Sequence, residues 1–364
     1  ALTALNISNQ SALQNNHLKA IDQLIILYNQ GQFSSVVEQA QILTEEYPKI
    51  FIIWNILGVS AAQIGMLDIA IEAFKKSVSL NPDYAETFCN MGNVLKEQGK
   101  MEEAIKAYKN ALLLKPELAE AHSNMGVVFQ HQGKLDESIV SYKKSILLNP
   151  DYAEAYSNMG NVLQSQGKLK EAIEVYNKCV SLNPNDAETY FKIGIALQHQ
   201  GKLEEAIKAY NKSISLKPDH AQAYNNMGVA LQHQDKFEKA IEAYNKSLLL
   251  NPDYAEAYSN IGNIYHDQGK LELAIEFYTK SILIKPDYAQ AYKNMGKVLA
   301  DQGKYKKSIE AYNKALSIKP DYESVRADRL HLQAHFCDWN SIEEDRKMIS
   351  TLGTFDKSVI PFFM

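Results

Sequence analysis

Between residues 153 and 182 the apolar letters fall into two runs with helical spacing. Ala155, Tyr156, Met159, Gly160, Val162 and Leu163 gather on one side of a wheel turned by about 100° per residue. Gly167 interrupts that run, and Leu169, Ala172, Ile173, Tyr176 and Val180 form a second stripe. The pattern predicts two amphipathic helices joined by a tight turn, each with one face to bury. Pro184 closes the segment, because it lacks the amide proton that a further helical turn needs. The next helix is expected to open with Asn185 as N-cap and Glu188 three residues on. The same capping box is expected at Asp83/Glu86, Asp151/Glu154 and Asp253/Glu256.

The segment recurs. Nine of the ten prolines stand at 48, 82, 116, 150, 184, 218, 252, 286 and 320, an interval of 34 residues each time. A fixed period of this length means one unit stacked on copies of itself. Counted from residue 17, nine units run to residue 322, and the eight from residue 51 are close copies. The first, 17–50, is degenerate, with Gln23 and Leu24 where later copies have Met or Ile followed by Gly. Asp235 stands where the other close copies have a turn glycine, at an expected loss of turn stability.

The unit at 51–84 carries Trp54, Leu57, Gly58, Ala70, Phe74 and Pro82. These letters resemble the signature of the tetratricopeptide repeat. The resemblance is strong over 51–322 and weak over 17–50. It implies an all-α fold, a right-handed α-solenoid whose first helices line a concave groove. Residues 1–16 then read as an N-terminal extension. Residues 323–364 read as capping helices and the start of a linker to a catalytic region beyond this chain. No single unit can bury its stripe alone, so stability is expected from stacking.

Opposite the apolar stripe of each first helix lies a polar row. Its sixth position is asparagine at Asn90, Asn124, Asn158, Asn226, Asn260 and Asn294, with Ile56 and Lys192 interrupting the series. Its ninth position adds Asn93, Asn161 and Asn263. A carboxamide donates and accepts, matching the two groups that every peptide unit offers. Packed helices lie about 8–10 Å apart and an extended chain rises about 3.3 Å per residue. One rung would therefore meet roughly every third residue of an extended polypeptide and read its main chain. Two blander readings stand beside this: a solvated face copied by duplication, or bonds between repeats that fix the pitch.

After Pro320 the repeat decays. Residues 323 to about 335 can continue as a helix on the last unit, and Ser341 with Glu344 is expected to open another. The letters His335-Phe336-Cys337-Asp338-Trp339, then Glu344-Asp345-Arg346-Lys347 and Pro361-Phe362, resemble the junction between repeats and catalytic region in O-GlcNAc transferase-like proteins. That resemblance implies a glycosyltransferase that uses UDP-GlcNAc as donor, with an asparagine ladder in its superhelix holding the acceptor polypeptide. The chain contains no nucleotide-binding loop, so it is expected to be non-catalytic itself and to hold no cofactor. The alternative is a stand-alone adaptor that assembles protein partners.

Charge and composition narrow the rest. The net charge is −5, with lysines and acids interleaved and no basic stripe, which argues against a nucleic-acid partner. No apolar run approaches the roughly 20 residues of a bilayer span, so no membrane partner is expected. The opening lacks the features of a signal peptide, and Cys89, Cys179 and Cys337 form no disulfide or zinc pattern. A cytoplasmic location is the simplest expectation. His131, His199 and His233 share one position near the row but have no acidic or cysteine partners, so a polar lining is favoured over a metal site. The resemblance also permits a homodimer, for which the sequence marks no surface.

Overall fold

The computed structural model describes residues 17–335. The expected helix at Ser341 and most of the His335–Trp339 motif lie outside them. The described residues form helices and connecting turns, with no strand among them. They divide into two units that meet between Pro184 and Asn185.

The first unit contains α1 (17–29), α2 (Phe33–Glu46), α3 (Phe51–Gln63), α4 (Leu67–Leu80), α5 (Ala85–Glu97), α6 (Met101–Leu114), α7 (Ala119–His131), α8 (Leu135–Leu148), α9 (Ala153–Ser165) and α10 (Leu169–Leu182). The second contains α11 (Ala187–His199), α12 (Leu203–Leu216), α13 (Ala221–Gln232), α14 (Phe237–Leu250), α15 (Ala255–Asp267), α16 (Leu271–Ile284), α17 (Ala289–Asp301), α18 (Tyr305–Ile318) and α19 (Glu323–His335). Consecutive helices pair as antiparallel hairpins, and each hairpin stacks on the next within its unit. This is the α-solenoid architecture expected from the repeat.

One contact recurs at the heart of every close copy. The mid-helix glycine of the first helix faces an aromatic ring from the second. A Cβ built on Gly160 would stand 2.3 Å from Cε1 of Tyr176, and one on Gly194 would stand 2.4 Å from Cε1 of Tyr210. The notch admits a ring that is fully buried, as at Tyr108, Tyr142, Tyr176, Tyr210, Tyr244 and Tyr278. Phe74 fills it in the unit that starts at residue 51. The sequence points to close helix approach at these glycines, and the group that approaches is this ring.

The hairpin turn needs a left-handed residue. Gly167 has φ +73°, and Asp235 adopts φ +56° at the equivalent place. Aspartate tolerates that region better than most side chains, since it bonds locally to its own backbone. The turn therefore forms without its glycine.

The helix starts correct the sequence reading. The cap of α11 is Asp186, not Asn185; its side chain accepts a hydrogen bond from the Thr189 amide at 3.0 Å. At the other three expected boxes the N-cap is Tyr84, Tyr152 or Tyr254, and no side chain caps the helix. The acid one place earlier belongs to the preceding turn. There the Asn81, Asn149 and Asn251 side chains accept from the amides of Asp83, Asp151 and Asp253. The cap position instead supplies a ring for packing, as Tyr84 does edge-on against Phe51 at 5.2 Å.

At three helix starts the fourth residue ties the helix back to the proline before it. Trp54 donates to the Pro48 carbonyl, an Nε2 of His122 lies 3.2 Å from the Pro116 carbonyl, and Arg326 donates to the Pro320 carbonyl. Thus α19 repeats the entry geometry of a further unit, and it packs on α18 through the fully buried Val325. No described helix is long and apolar enough to cross a membrane.

Two predictions follow from this core. Gly160→Ala drives a methyl into the Tyr176 ring and should cost about 1–3 kcal/mol, read as a lower urea midpoint. The second concerns His122 and His220, which are 8% and 7% exposed. Burial pushes both imidazoles below the ordinary histidine pKa of 6.5. Above that value both folded and unfolded chains hold the rings neutral and nothing is lost. As pH falls through it, the unfolded chain takes up protons that the folded chain resists, so stability falls. The thermal midpoint should drop between pH 7.5 and pH 5.5. In the His122→Tyr/His220→Tyr variant, which carries the tyrosine of the sister repeats, the drop should be smaller.

Candidate functional site: a row of asparagine amides

The first helices of successive hairpins lie side by side, α3, α5, α7 and α9 in the first unit and α11, α13, α15 and α17 in the second. Every asparagine of the expected row is half-buried: Asn90, Asn93, Asn124, Asn158 and Asn161 in the first unit, Asn226, Asn260, Asn263 and Asn294 in the second. Neither solvated outright nor sealed inside, each has one side against its own stack.

The amides differ in what they already hold. Asn90 and Asn158 make no side-chain hydrogen bond among the described residues. Asn124 accepts from Lys96 through Oδ1 at 3.1 Å. The ninth-position residues are committed on one side, because Asn93, Asn161 and Asn263 accept from the phenols of Tyr108, Tyr176 and Tyr278 at 2.8, 2.9 and 2.7 Å. Burial raises the pKa of Tyr108 and Tyr278, so these phenols stay protonated and donate. The Asn93 amide also donates to Glu120 of the next hairpin at 3.4 Å.

In the second unit the amides reach from rung to rung. The Asn260 amide donates to Asn225 at 3.2 Å, and Asn225 donates to its neighbour Asn226 at 3.3 Å. The Asn294 amide donates to Asn263 at 2.8 Å and its carbonyl accepts from Gln290 at 2.7 Å. Part of the series therefore fixes the spacing of hairpins, while Asn90 and Asn158 keep donor and acceptor unengaged.

Sequence reasoning missed two positions of this network. Asn225, at the fifth position, is 5% exposed and joins two rungs. The twelfth position carries the second acceptor for the buried phenol. Gln198 and Gln232 accept from Tyr210 and Tyr244 at 2.8 and 2.9 Å in units whose ninth residue is Ile195 or Val229. Tyr176 uses both Asn161 and Gln164. The signal was available in the letters: most copies that lose the ninth asparagine carry glutamine at the twelfth place.

His131, His199 and His233 are exposed, and no cluster of three metal-ligating side chains occurs among the described residues. Cys89 and Cys179 are buried and form no disulfide, and burial pushes the Cys89 pKa up to about 12, which removes the thiolate.

Stacked two-helix units with a polar row along the first helices define a helical repeat solenoid, an architecture that presents extended binding surfaces. A family model described as TPR repeat matches residues 62–99, 92–133 and 131–167. A second, described as tetratricopeptide repeat, matches 151–219, 185–248, 219–285 and 253–321. The chain belongs to the tetratricopeptide repeat family. No curated protein matches it. Among solved structures it is similar to YrrB, a TPR protein with an unusual peptide-binding site, at 29% identity over 52% of this chain and 97% of that one, with a TM-score of 0.47. It is 31% identical to MamA over 46% of this chain and 92% of that one, with a TM-score of 0.41. The Cut9–Hcn1 assembly of the APC/C is 18% identical over 73% of this chain and 52% of that chain, with a TM-score of 0.53, a likeness of fold alone.

The divided duties of the amides are measurable in stability. Asn263→Ala takes the acceptor from both Tyr278 and Asn294 and should cost about 1–3 kcal/mol. Asn158→Ala breaks no internal bond and should stay within about 0.5 kcal/mol of the parent. Paired urea titrations compare the two.

Proposed function

We propose that this chain is a protein-binding scaffold that holds an extended polypeptide along the asparagine row. The observation that carries the reading is the state of Asn90 and Asn158, two half-buried amides with no side-chain hydrogen bond among the described residues. Asn124 and Asn161 support it, since each uses only its carbonyl internally and keeps an amide donor. Such donors and acceptors suit a peptide main chain, so the grip is selective for extended conformation more than for side-chain identity.

The finer assignment is the acceptor-recognition region of an O-GlcNAc transferase-like enzyme. It rests on the tail letters from His335 to Trp339 together with the asparagine series. On this reading the catalytic lobes and the UDP-GlcNAc site belong to a region outside this chain, which itself performs no chemistry. Buried reduced thiols at Cys89 and Cys179 suit a cytoplasmic setting. The competing reading, a stand-alone adaptor, keeps the same row and dispenses with transfer.

The row is tested with an immobilised array of unstructured Ser/Thr-containing peptides. Asn90→Ala/Asn124→Ala/Asn158→Ala should weaken capture at least tenfold with an unchanged helical circular dichroism signal. Equal capture by that variant refutes the row. Transfer of labelled N-acetylglucosamine from UDP-GlcNAc to captured peptides by the full-length protein supports the enzyme reading, and capture without transfer supports the adaptor.

A further inference from the structure

The second unit holds two open clefts of one design. The first, about 560 Å³, has Tyr224, Met227 and Leu231 of α13 as its floor, with Lys208, Lys239 and Lys246 at its rim. The second, about 420 Å³, has Tyr292, Met295 and Leu299 of α17 as its floor, with Lys304, Lys307 and Lys314 at its rim. Both volumes fall in the range of about 300–1,000 Å³ usual for ligand sites. Glu204 and Glu242 line the first and Glu310 the second, so lysines outnumber acids in each. None of those six lysines makes an ion pair among the described residues. Ala243 and Ala311 occupy the same place in the two clefts, and a methyl group there leaves the space open.

The repeat between them reveals what such a cleft accepts. Its residue at that place is Phe277, whose ring lies 6.3 Å from Tyr258 and 5.3 Å from Tyr265. Lys280 sits 4.9 Å over the ring. Tyr258 is the counterpart of Tyr224 and Tyr292, and Lys280 is the counterpart of Lys246 and Lys314. The chain thus plugs the middle cleft with its own phenylalanine beneath a lysine. The flanking clefts keep the tyrosine and the lysine and lack the ring.

We propose that the two clefts bind an aromatic side chain presented by an acidic segment of a partner protein. The ring rests on the Tyr224 or Tyr292 floor under Lys246 or Lys314, where the cation meets its face. Flanking carboxylates engage the unpaired rim lysines. On the helical wheel these floors lie on the far side of α13 and α17 from Asn226 and Asn294. The surface is independent of the amide row, and a partner seated on it leaves the row open.

The test titrates the full chain with a fluorescein-labelled acidic nonapeptide containing one central phenylalanine, and with its alanine counterpart. Two phenylalanine-dependent sites per chain are expected, with at least tenfold weaker binding of the alanine peptide at them and weakening by salt. Ala243→Phe/Ala311→Phe recreates the plugged arrangement and should remove binding, while Phe277→Ala should add a third site. Lys246→Glu/Lys314→Glu, confined to the rim, should weaken binding at least tenfold without relying on core substitutions. The difference in affinity between the phenylalanine and alanine peptides should be the same in Asn90→Ala/Asn158→Ala as in the parent, which separates the clefts from the amide row. Undiminished binding by the folded alanine-to-phenylalanine variant or by the rim variant overturns the proposal, as does equal affinity for the alanine peptide.

Discussion

Everything in this molecule depends on a ring entering a notch. Each close copy leaves out a side chain at one point of its first helix so that a tyrosine, or in one case Phe74, can lie flat against the backbone. That fit sets how near the two helices of a hairpin come, and it places the apolar stripe where the next hairpin can cover it. The phenol at the tip of the ring then imposes a second demand. Buried in a stack, it needs an acceptor, and in six copies that acceptor is an Asn or Gln amide of the first helix. Core packing thereby reaches through the helix and dictates chemistry on its opposite face.

The asparagine row is consequently a shared resource. Asn263 and Asn294 are occupied in holding neighbouring hairpins together, whereas Asn90 and Asn158 are not. On the proposed reading, pitch control and ligand capture divide among residues instead of competing for all of them. On the other side of the same helices, the size of one residue decides whether a cleft stands open, as at Ala243 and Ala311, or closed, as at Phe277. A single helix therefore separates two surfaces whose properties are set by different positions of the repeat.

The period, the helix pairs and the buried stripe were legible in the letters, because a 34-residue interval and a 3.6-residue rhythm are properties of sequence alone. Ala155, Met159, Val162 and Leu163 are buried as the wheel places them. The helix starts were not legible. Asn185 and Asp186 are both good caps by type, and only the turn geometry decides that Asp186 reaches the Thr189 amide. Nor could the letters show that Asn161 is pinned by Tyr176, since the bond joins residues on different helices. Nor could they show Phe277 packed against Tyr258 and Tyr265, because those rings come from the other helix of the hairpin.

The double anchorage of Tyr176 has a consequence of another kind. With Asn161 and Gln164 both in reach of one hydroxyl, either can be exchanged while the other keeps the stack intact. A lineage carrying this arrangement has a mutational path on which no intermediate unfolds. At this repeat the polar lettering of the first helix can be rewritten while the scaffold persists.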